Sequence, residues 1–580
     1  MLNFNPQNPL IVQGDKTVLL EVDNPAYEDA RDVLARFAEL EKSPEYIHSY
    51  RISPLSLWNA AAAGLTANAI LDGLDRFAKY PVPGNVRVDI ADYISRYGRV
   101  KIIRRDGHLL LTSEDAPLIV ELTRRKELKP YIREQLDAHT LRVDAAMRGH
   151  LKHALVKVGY PAEDLAGYVT GEALALRLRE TTGGGRPFVL RHYQHAAADV
   201  FYAGGAAHGG SGVIVLPCGA GKTIVGMGVM DAMQTSTLIL TPNTFSVHQW
   251  VAELLDKTTL SEDLIGEYTG QRKDIRPITV ATYQTITYRK RGKRKDDGSL
   301  RDEYPHFELF DQRDWGLIIY DEVHLLPAPV FSITAELQAR RRLGLTATLV
   351  REDGREEDVF SLIGPKKYDV PWKDLEKQGW IAEADCIEVR IPLPDDLRME
   401  YALAETRHKY RIAACNPAKF DVLDELLQKH PTAQTLIIGM YLDQLDAVQQ
   451  RYGFPIITGD TPERERRKLY AQFRSGELQR LIISKVGNFA IDLPDASVMI
   501  QISGTFGSRQ EEAQRLGRIL RPKAEGQMAH FYTLVTRDTQ DQEFSANRQL
   551  FLTEQGYQYT ILYADEVADF QARALATPRA

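Results

Sequence analysis

The segment Pro217-Cys218-Gly219-Ala220-Gly221-Lys222-Thr223 has the residue types and spacing to hold phosphate. Its glycines let backbone N–H groups curve around an oxyanion, and a helix starting at its end adds a partial positive charge. Lys222 can then reach the β- and γ-phosphates of a nucleotide, and the Thr223 hydroxyl can ligate Mg²⁺. Position 216 is Leu rather than the Gly of the full GxxxxGK[ST] pattern. The strand–loop–helix setting still favours a nucleotide site over a structural turn.

A pair of carboxylates, Asp321 and Glu322, follows the apolar run 317–320. Ligands bind at the carboxyl ends of strands in open parallel sheets. There Asp321 can hold Mg²⁺, directly or through water, while Glu322 can orient and deprotonate an attacking water. An Asp-Glu pair is usually just solvated, but its place after a buried strand and downstream of the phosphate loop favours a catalytic role.

Gln514, Arg518 and Arg521 are spaced i, i+4 and i+7, so one face of a helix carries all three. Such a face suits arginines that stabilise charge on a transferred phosphoryl group. A basic amphipathic helix with an exposed face explains the spacing equally well. Both interpretations stay open for this helix.

The composition is that of an ordinary globular protein, since the 580 residues are 44% hydrophobic and 26% charged. No apolar run is long enough for a transmembrane helix, and the polar start of the chain lacks the pattern of a secretory signal. The cysteines at 218, 386 and 415 form no CxxC pair, which argues against a zinc site or a disulfide framework, and we interpret Cys218 as a small filler. We expect a cytoplasmic protein without a membrane partner. The net charge of -7 gives no global sign of nucleic acid.

Short apolar runs alternate with helical stretches twice along the chain, which predicts two doubly wound parallel α/β domains in tandem. The runs interpreted as buried strands are 213–216, 237–240, 278–281, 317–320 and 343–345 in the first domain, and 435–440, 455–458, 480–484, 498–502 and 530–534 in the second. Helices are expected between them, for example over 222–233 and 442–452. The phosphate loop and the carboxylate pair fall in the first domain, and the helix with Arg518 falls in the second.

Smaller α+β domains are expected before these two. The predicted elements are strands at 10–12 and 17–22, helical periodicity over 29–42, helices over 56–64, 66–80 and 88–97, and strands at 100–104 and 108–111. Three helices followed by a hairpin are typical of a winged helix, although a small interaction domain fits the pattern as well. The glycines 183–185 indicate either a linker or a surface loop. The basic run 289–295 is either a solvated loop or one that contacts phosphates.

Together these residues resemble the superfamily-2 helicases and, among them, the bacterial branch of the XPB family, over most of the chain. The Lys222 loop is similar to helicase motif I, Asp321–His324 to motif II in its DEVH form, and Gln514–Arg521 to motif VI. The segment 190–194 resembles the Q motif, which implies that Arg191 and Gln194 read adenine. The fold implied is two RecA-like domains, and the implied cofactors are ATP and Mg²⁺.

The resemblance also implies a path for DNA and its coupling to ATP. Segments similar to motifs Ia, Ib or Ic, III and V and to the RED motif supply the residues implied to contact the strand or couple it to ATP: Thr241, Thr282, Gln284, Thr346, Thr348, Arg351, Glu352, Asp353 and Lys485. A motor that moves along any sequence should grip phosphates rather than base edges. In the segment similar to motif V, Asn488 stands where the family usually has Asp.

The domains implied are an XPB-like N-terminal domain at 1–128, a damage-recognition-like domain with the glycine linker at 129–185, RecA-like domains at 186–392 and 393–537, and a tail at 538–580 without an assigned role. A thumb-like insert is implied at about 398–419. The implied activity is ATP-dependent 3′–5′ unwinding of DNA in repair, and the family often works with a nuclease partner. Three alternatives stay open: a duplex translocase that does not unwind, a DNA-binding scaffold with a vestigial ATP site, and the motor subunit of a restriction-type nuclease.

Overall fold

The computed structural model describes residues 4–44, 46–217, 219–290, 304–338, 340–349, 355–484, 496–506, 512, 515–517 and 528–570. The chain divides into two compact units, one of residues 1–39, 50–216 and 221–370 and one of residues 40–49, 217–220 and 371–580. Among the described residues, no helix has the length and apolar character needed to cross a membrane.

The chain begins with a four-stranded sheet in the order β1-β2-β4-β3. Its elements are β1 (Leu10–Val12), β2 (Thr17–Glu21), α1 (Tyr27–Leu34), β3 (Glu39–Lys42) and β4 (Ile47–Arg51). The helix expected over 29–42 is therefore wrong in its second half. Residues 39–42 instead form the edge strand of this sheet, next to β4.

Three helices follow, as predicted: α2 (Pro54–Ala62), α3 (Ala67–Phe77) and α4 (Gly84–Arg96). Ser53 starts α2, because its hydroxyl accepts a hydrogen bond from the Ser56 N–H while the Ser56 hydroxyl accepts one from the Ser53 N–H. The expected antiparallel hairpin comes next, with β5 (Lys101–Arg105) paired to β6 (His108–Thr112).

This hairpin is the centre of a larger sheet in the order β7-β8-β6-β5-β9. The added elements are α5 (Ala116–Arg124), β7 (Ile132–Gln135), β8 (Thr140–Val143), α6 (Arg148–Lys157) and β9 (Glu163–Asp164). Because β6 pairs with β8 and one apolar core runs from Val100 to Ala166, the predicted domain boundary between 128 and 129 is wrong. The β5–β6 hairpin has an apolar face, and segments on both sides of residue 128 pack against it.

The glycines 183–185 form a surface turn, the second of the two predicted alternatives. The Gly183 N–H donates to the Asp256 carbonyl and the Gly185 N–H to the Thr182 carbonyl, both at 2.9 Å. The segment before them is bridged to the first parallel domain, at Ala173 with Thr235 and at Leu178 with Thr258. These contacts fix the turn to that domain.

The first parallel domain holds a seven-stranded sheet in the order β12-β13-β11-β14-β15-β10-β16. Its strands are β10 (Ser211–Val215), β11 (Thr237–Thr241), β12 (Ile265–Tyr268), β13 (Ile278–Thr282), β14 (Leu317–Asp321), β15 (Arg341–Thr346) and β16 (Lys366–Asp369). Its helices are α7 (His192–Tyr202), α8 (Lys222–Met233), α9 (Thr244–Lys257), α10 (Tyr283–Ile286), α11 (Ala328–Glu336) and α12 (Glu356–Asp358). Every pairing is parallel, so the carboxyl ends of all strands lie at one edge.

The second unit repeats the arrangement with the order β19-β20-β18-β21-β22-β17-β23, again all parallel. Its strands are β17 (Ala384–Ile391), β18 (Thr435–Gly439), β19 (Ile456–Ile457), β20 (Arg480–Ser484), β21 (Val498–Gln501), β22 (Ala529–Thr536) and β23 (Tyr559–Tyr563). Its helices are α13 (Trp372–Lys377), α14 (Asp395–Leu403), α15 (Thr406–Ala414), α16 (Lys419–Lys429), α17 (Leu442–Tyr452), α18 (Glu463–Arg474) and α19 (Gln540–Glu554). The prediction of two parallel α/β domains is confirmed.

Two predicted boundaries in this part of the chain are wrong. Strand β17 pairs with β22 in the second sheet, so the boundary lies near residue 371 and not between 392 and 393. The segment 538–580 was predicted as a tail, but it contributes α19 and the edge strand β23, which pairs with β17. Helices α14 and α15 occupy the range expected for the thumb-like insert.

Candidate active site

The phosphate loop joins β10 to α8, as predicted. Strand β10 ends at Val215, Gly219 and Gly221 have φ angles of 82° and 83°, and α8 begins at Lys222. Glycine adopts this left-handed region without steric cost. A Cβ at Gly221 would also lie 2.6 Å from Gln194 Nε2, so a side chain there is disfavoured by both conformation and space. A glycine loop of this kind before a helix N-terminus is a ready oxyanion site.

Asp321 and Glu322 lie at the carboxyl end of β14, beside the lysine of this loop. Lys222 Nζ is 2.7 Å from Glu322 Oε1. Asp321 Oδ2 accepts a hydrogen bond from Trp250 Nε1 at 2.9 Å, and Asp321 Oδ1 accepts one from the Glu322 N–H at 3.1 Å. The structure therefore brings together Lys222, Asp321 and Glu322, the three residues that the sequence assigned to phosphate, metal and water.

The two carboxylates share one lysine, and their protonation differs as a result. Burial raises the pKa of Asp321, and the adjacent Glu322 adds to this effect, which places it at about 6. Burial also acts to raise the pKa of Glu322, but Lys222 and then His324 oppose it, and the net pKa lies below the usual value. Glu322 is therefore ionised at neutral pH, and a cation close to Asp321 would favour its ionised form.

The turn that presents Glu322 is strained and tied to the next strand. Glu322 has φ 48° and ψ 54°, a conformation that costs a non-glycine residue on the order of 1 kcal/mol. His324 Nδ1 lies 2.7 Å from Thr346 Oγ1, and the Thr346 hydroxyl donates to the Thr348 carbonyl at 2.5 Å. Because that hydroxyl has only one hydrogen, Nδ1 of His324 is the donor in the first bond. The end of β14 is thus coupled to the end of β15.

Arg191 and Gln194 form the first turn of α7, which packs against α8. Gln194 Oε1 accepts a hydrogen bond from the Arg191 N–H at 3.0 Å, and Arg191 Nη1 donates to Tyr193 Oη at 3.0 Å. The amide of Gln194 is buried next to Gly221. The Q-like segment therefore touches the phosphate loop, while its contact with adenine stays a prediction.

The residues expected along the DNA path differ in exposure. Thr241, Thr282, Thr346 and Thr348 are all buried, whereas Gln284 is exposed. Thr241 Oγ1 donates to the Ala281 carbonyl at 3.2 Å, and Thr282 Oγ1 caps α10 by accepting from the Thr285 N–H at 3.2 Å. These hydroxyls shape the loops at the carboxyl edge of the sheet, and their contact with a strand stays a prediction.

Several predicted site residues lie outside the described residues, namely Cys218, Arg351, Glu352, Asp353, Lys485, Gln514, Arg518 and Arg521. Most of the basic run 289–295 lies outside them as well. Arg515, within the segment similar to motif VI, is described: it is fully buried, and its guanidinium donates to Gln501 Oε1.

Two aromatic residues at the site were not predicted from the sequence. Trp250 holds Asp321 through its indole N–H, and the Tyr283 hydroxyl donates to the Asp321 carbonyl at 2.8 Å. Trp250 lies on α9 and Tyr283 on α10, far from β14 in the sequence. A buried indole or phenol needs a hydrogen-bond partner, but a single sequence does not say which one it finds.

Comparison with known proteins places the chain in a family. The model described as ERCC3/RAD25/XPB C-terminal helicase matches residues 375–578, that described as type III restriction enzyme, res subunit, matches 187–351, and that described as helicase conserved C-terminal domain matches 10–137. The DNA 3'-5' helicase XPB of Kineococcus radiotolerans is 54% identical over 560 residues, which cover 96% of this chain and 97% of that protein. The protein of the same name from Mycobacterium tuberculosis is 54% identical over 560 residues, covering 96% and 98%.

The chain belongs to the XPB helicase family. A more distant XPB relative, the general transcription and DNA repair factor IIH helicase/translocase subunit of Encephalitozoon cuniculi, is 35% identical over 571 residues, covering 96% of this chain and 83% of that protein. The match to the XPB C-terminal helicase begins at residue 375, close to residue 371, where the longest segment of the second unit begins. The match over 187–351 contains the phosphate loop and both carboxylates of the site.

Proposed function

We propose that this chain couples ATP hydrolysis to 3′–5′ movement along DNA and to separation of the strands, as a repair helicase of the XPB type. One observation carries the catalytic part: Lys222 and Glu322 meet at the carboxyl edge of a parallel sheet, directly after a loop with two left-handed glycines. Hydrolysis of a phosphoanhydride needs a phosphate cradle and a group that positions water, and these residues supply both. Family membership supports DNA as the polymer.

Mg²⁺ fits the residues of this site and is part of the proposal. Each oxygen of Asp321 accepts one hydrogen bond and keeps a further lone pair, and Thr223 adds a hydroxyl in the first turn of α8. These are hard oxygen ligands, which suit Mg²⁺ in sites completed by phosphate oxygens and water. When bound, the ion would offset the second carboxylate and the charge of the phosphates.

Each residue of the first domain has a distinct task in this mechanism. Lys222 binds the terminal phosphates as a point charge, and the loop N–H groups orient them. Glu322, kept ionised by Lys222 and His324, holds the attacking water and takes its proton. Trp250 fixes the Asp321 carboxylate. The His324–Thr346 hydrogen bond connects the turn that holds the water to the loop after β15. Release of phosphate can therefore change the position of this loop, which the family resemblance assigns to coupling with DNA.

The remaining assignments rest on the family resemblance. Arg191 and Gln194 are proposed to read adenine, and Gln514, Arg518 and Arg521 to stabilise charge on the transferred phosphoryl group. The segments around Thr241, Thr282, Gln284, Thr348, Arg351–Asp353 and Lys485 are proposed to hold or separate the DNA strands. A nuclease partner and a cytoplasmic setting belong to the same proposal.

Strand displacement tests this function. The chain should unwind a duplex that carries a 3′ single-stranded tail, in the presence of ATP, and should not unwind one with a 5′ tail. Lys222→Ala should lose at least about a hundredfold in rate, because a donor to the transition-state charge is removed. Lys157→Ala, at an exposed position of α6, is the matched control and should leave the rate unchanged.

Two results would overturn parts of the proposal. Unwinding that persists in Lys222→Ala would contradict the assignment of the ATP site. Displacement of the third strand of a triplex, without displacement of a duplex strand, would instead identify a translocase that moves on duplex DNA without opening it.

A further inference from the structure

A cavity of about 250 Å³ lies inside the first unit, away from the candidate active site. Its walls come from the end of α2, from the α6–β9 region, and from the amino-terminal ends of β10 and β16. Its charged lining residues are two lysines and two carboxylates: Lys152, Lys367, Glu163 and Asp164. The other polar residues that line it are Tyr97, Tyr168, His208, Ser211 and Ser361. Ser211 starts β10, and roughly 13 Å of strand separates it from Val215, where the phosphate loop begins. The cavity is therefore at the opposite edge of the sheet from Lys222.

The charges buried around this cavity do not cancel. Arg148 Nη2 lies 2.6 Å from Asp164 Oδ1, and Lys152 Nζ lies 3.2 Å from Asp164 Oδ2. Arg342, which is fully buried on β15, donates to the Leu362 and Gln338 carbonyls and to Ser211 Oγ, all of them neutral. Three buried cations thus surround one carboxylate. A second pair on the cavity wall, Lys367 and Glu163, adds no net charge.

The two lysines on the wall have N–H groups to spare. Lys152 Nζ donates to Gln338 Oε1 at 2.9 Å and lies 3.2 Å from Asp164 Oδ2. These two contacts use two of the three N–H groups of Lys152. Lys367 Nζ donates to the His208 carbonyl at 3.1 Å, which uses one. Among the described residues, these ammonium groups therefore have hydrogen-bond capacity left within the cavity.

We propose that this cavity is a binding site for a small phosphate-type oxyanion, either inorganic phosphate or the phosphate group of a small phosphomonoester. Lys152 and Lys367 are its direct ligands, while Arg148 and Arg342 supply positive charge from behind the wall. An anion there offsets the charge excess that Asp164 leaves. Its volume is larger than an inorganic phosphate requires, so a short organic group can accompany the anion.

The state of Lys152 supports this assignment. Burial lowers its pKa to about 8, and the positive charges of Arg342 and Arg148 add to that effect against the opposing influence of Asp164. A bound anion acts in the opposite direction and favours the charged lysine. Lys152 is therefore a buried ammonium group whose charged form a bound anion would stabilise.

Occupancy of the site should also strengthen the packing between α6 and the first parallel sheet. Lys152 belongs to α6, whereas Lys367 and Ser211 belong to strands of that sheet. An anion that is bonded to both lysines bridges these elements. A ligand that binds only the folded chain raises its melting temperature.

Calorimetric titration tests the site without interference from the nucleotide loop. Inorganic phosphate and, in a parallel arm, ribose 5-phosphate are titrated into the full-length Lys222→Ala chain, in a buffer free of other oxyanions. We expect one binding site per chain for at least one of the two compounds. The compound that binds more tightly shows whether the site takes inorganic phosphate or the phosphate group of a phosphomonoester. Lys152→Met and Lys367→Met, each in the Lys222→Ala background, should weaken binding about ten- to a hundredfold, as loss of a charge-assisted hydrogen bond predicts.

The control is Lys157→Met, which removes a lysine from an exposed position of the same helix and should leave the affinity unchanged. Lys367 is less buried than Lys152, so Lys367→Met keeps the test valid if Lys152→Met fails to fold. Absence of binding in both arms overturns the proposal. Binding that neither Lys152→Met nor Lys367→Met weakens overturns it as well.

Discussion

The two edges of the first parallel sheet carry buried charge with opposite imbalance. At the carboxyl edge two carboxylates face one lysine; at the amino edge three cations face one carboxylate. The residues at the carboxyl edge are Asp321, Glu322 and Lys222. Those at the amino edge are Arg148, Lys152, Arg342 and Asp164. Uncompensated buried charge is costly, so it persists where a ligand completes it. The negative edge suits a divalent cation with its nucleotide, and the positive edge suits an anion.

The second unit contains a buried network of ion pairs. Lys419 Nζ lies 2.8 Å from Asp541 Oδ2, and Arg548 lies 3.8 Å from both Glu512 and Asp541. Gly504 gives room to the guanidinium, since a Cβ there would be 2.3 Å from Arg548 Cζ. Each of these two cations therefore faces a buried carboxylate. We interpret this network as structural, because Lys419 and Arg548 each face a buried carboxylate of the same unit.

The largest expected effect is at the negative edge. Glu322→Gln removes the group that positions and deprotonates water and should lower kcat for ATP hydrolysis about 10³-fold, within the range for a general base. Nucleotide binding should persist, because Lys222 and the loop remain. Steady-state hydrolysis together with nucleotide titration measures both, with Glu336→Gln, an exposed glutamate on α11, as the control. An equal loss of binding and kcat would contradict the role given to Glu322.

At the positive edge, Asp164→Asn should destabilise the first unit by about 3 kcal/mol, because it leaves buried cations without their carboxylate. Urea denaturation followed by circular dichroism measures the change. Glu134→Gln, which alters an exposed ion pair with Arg142, should shift the transition little. If the two variants were equally stable, Asp164 would not be compensating the cations.

Lys152 should give this edge a distinctive dependence on pH. Its pKa is lowered from 10.5 to about 8 in the folded chain, so between these values the unfolded state binds more protons. Stability contributed by this residue therefore rises with pH across that window, by about 3 kcal/mol in total. Denaturation of the wild type minus that of Lys152→Met, from pH 7 to 10.5 in buffer without phosphate, isolates the effect. A difference that stays flat or falls with pH would show that burial is not opposing the charged lysine.

The buried network of the second unit should show coupling within one pair. Lys419→Met and Asp541→Asn together should be about 2 kcal/mol less harmful than the sum of the two single changes, because each single change leaves a buried charge alone. The exposed pair Arg411 and Asp443 serves as the control, with an expected coupling below about 0.5 kcal/mol. A double-mutant cycle, with the free energy of unfolding measured by denaturation, gives the coupling energy. Additive effects at Lys419 and Asp541 would contradict the structural interpretation.

The parallel sheets were predictable because strands that are buried on both faces appear as continuous apolar runs. The run 480–484 matches β20, and 222–233 matches α8. Strand β17 was missed because Asp385 and Glu388 interrupt its apolar pattern, although both are buried. Glu388 is accommodated by Ser545 and Gln549 of α19, which lie more than 150 positions away in the chain.

The active site was predictable where its residues are contiguous, as in the phosphate loop and the Asp321–Glu322 pair. Trp250 and Tyr283 were not, since nothing local in their sequence points to Asp321. The cavity residues are still more dispersed: Lys152, Ser211 and Lys367 meet only because α6 packs beside the amino ends of β10 and β16. Contacts of this kind depend on the three-dimensional arrangement and leave no spacing to recognise.

The rate of ATP hydrolysis, measured with forked, duplex and single-stranded DNA and with RNA as the control, tests the DNA-driven motor most directly. DNA should stimulate hydrolysis, RNA should not, and Lys222→Ala should abolish the reaction with every polymer. A rate of hydrolysis that is the same with and without DNA, or hydrolysis that persists in Lys222→Ala, would contradict a DNA motor powered at this site.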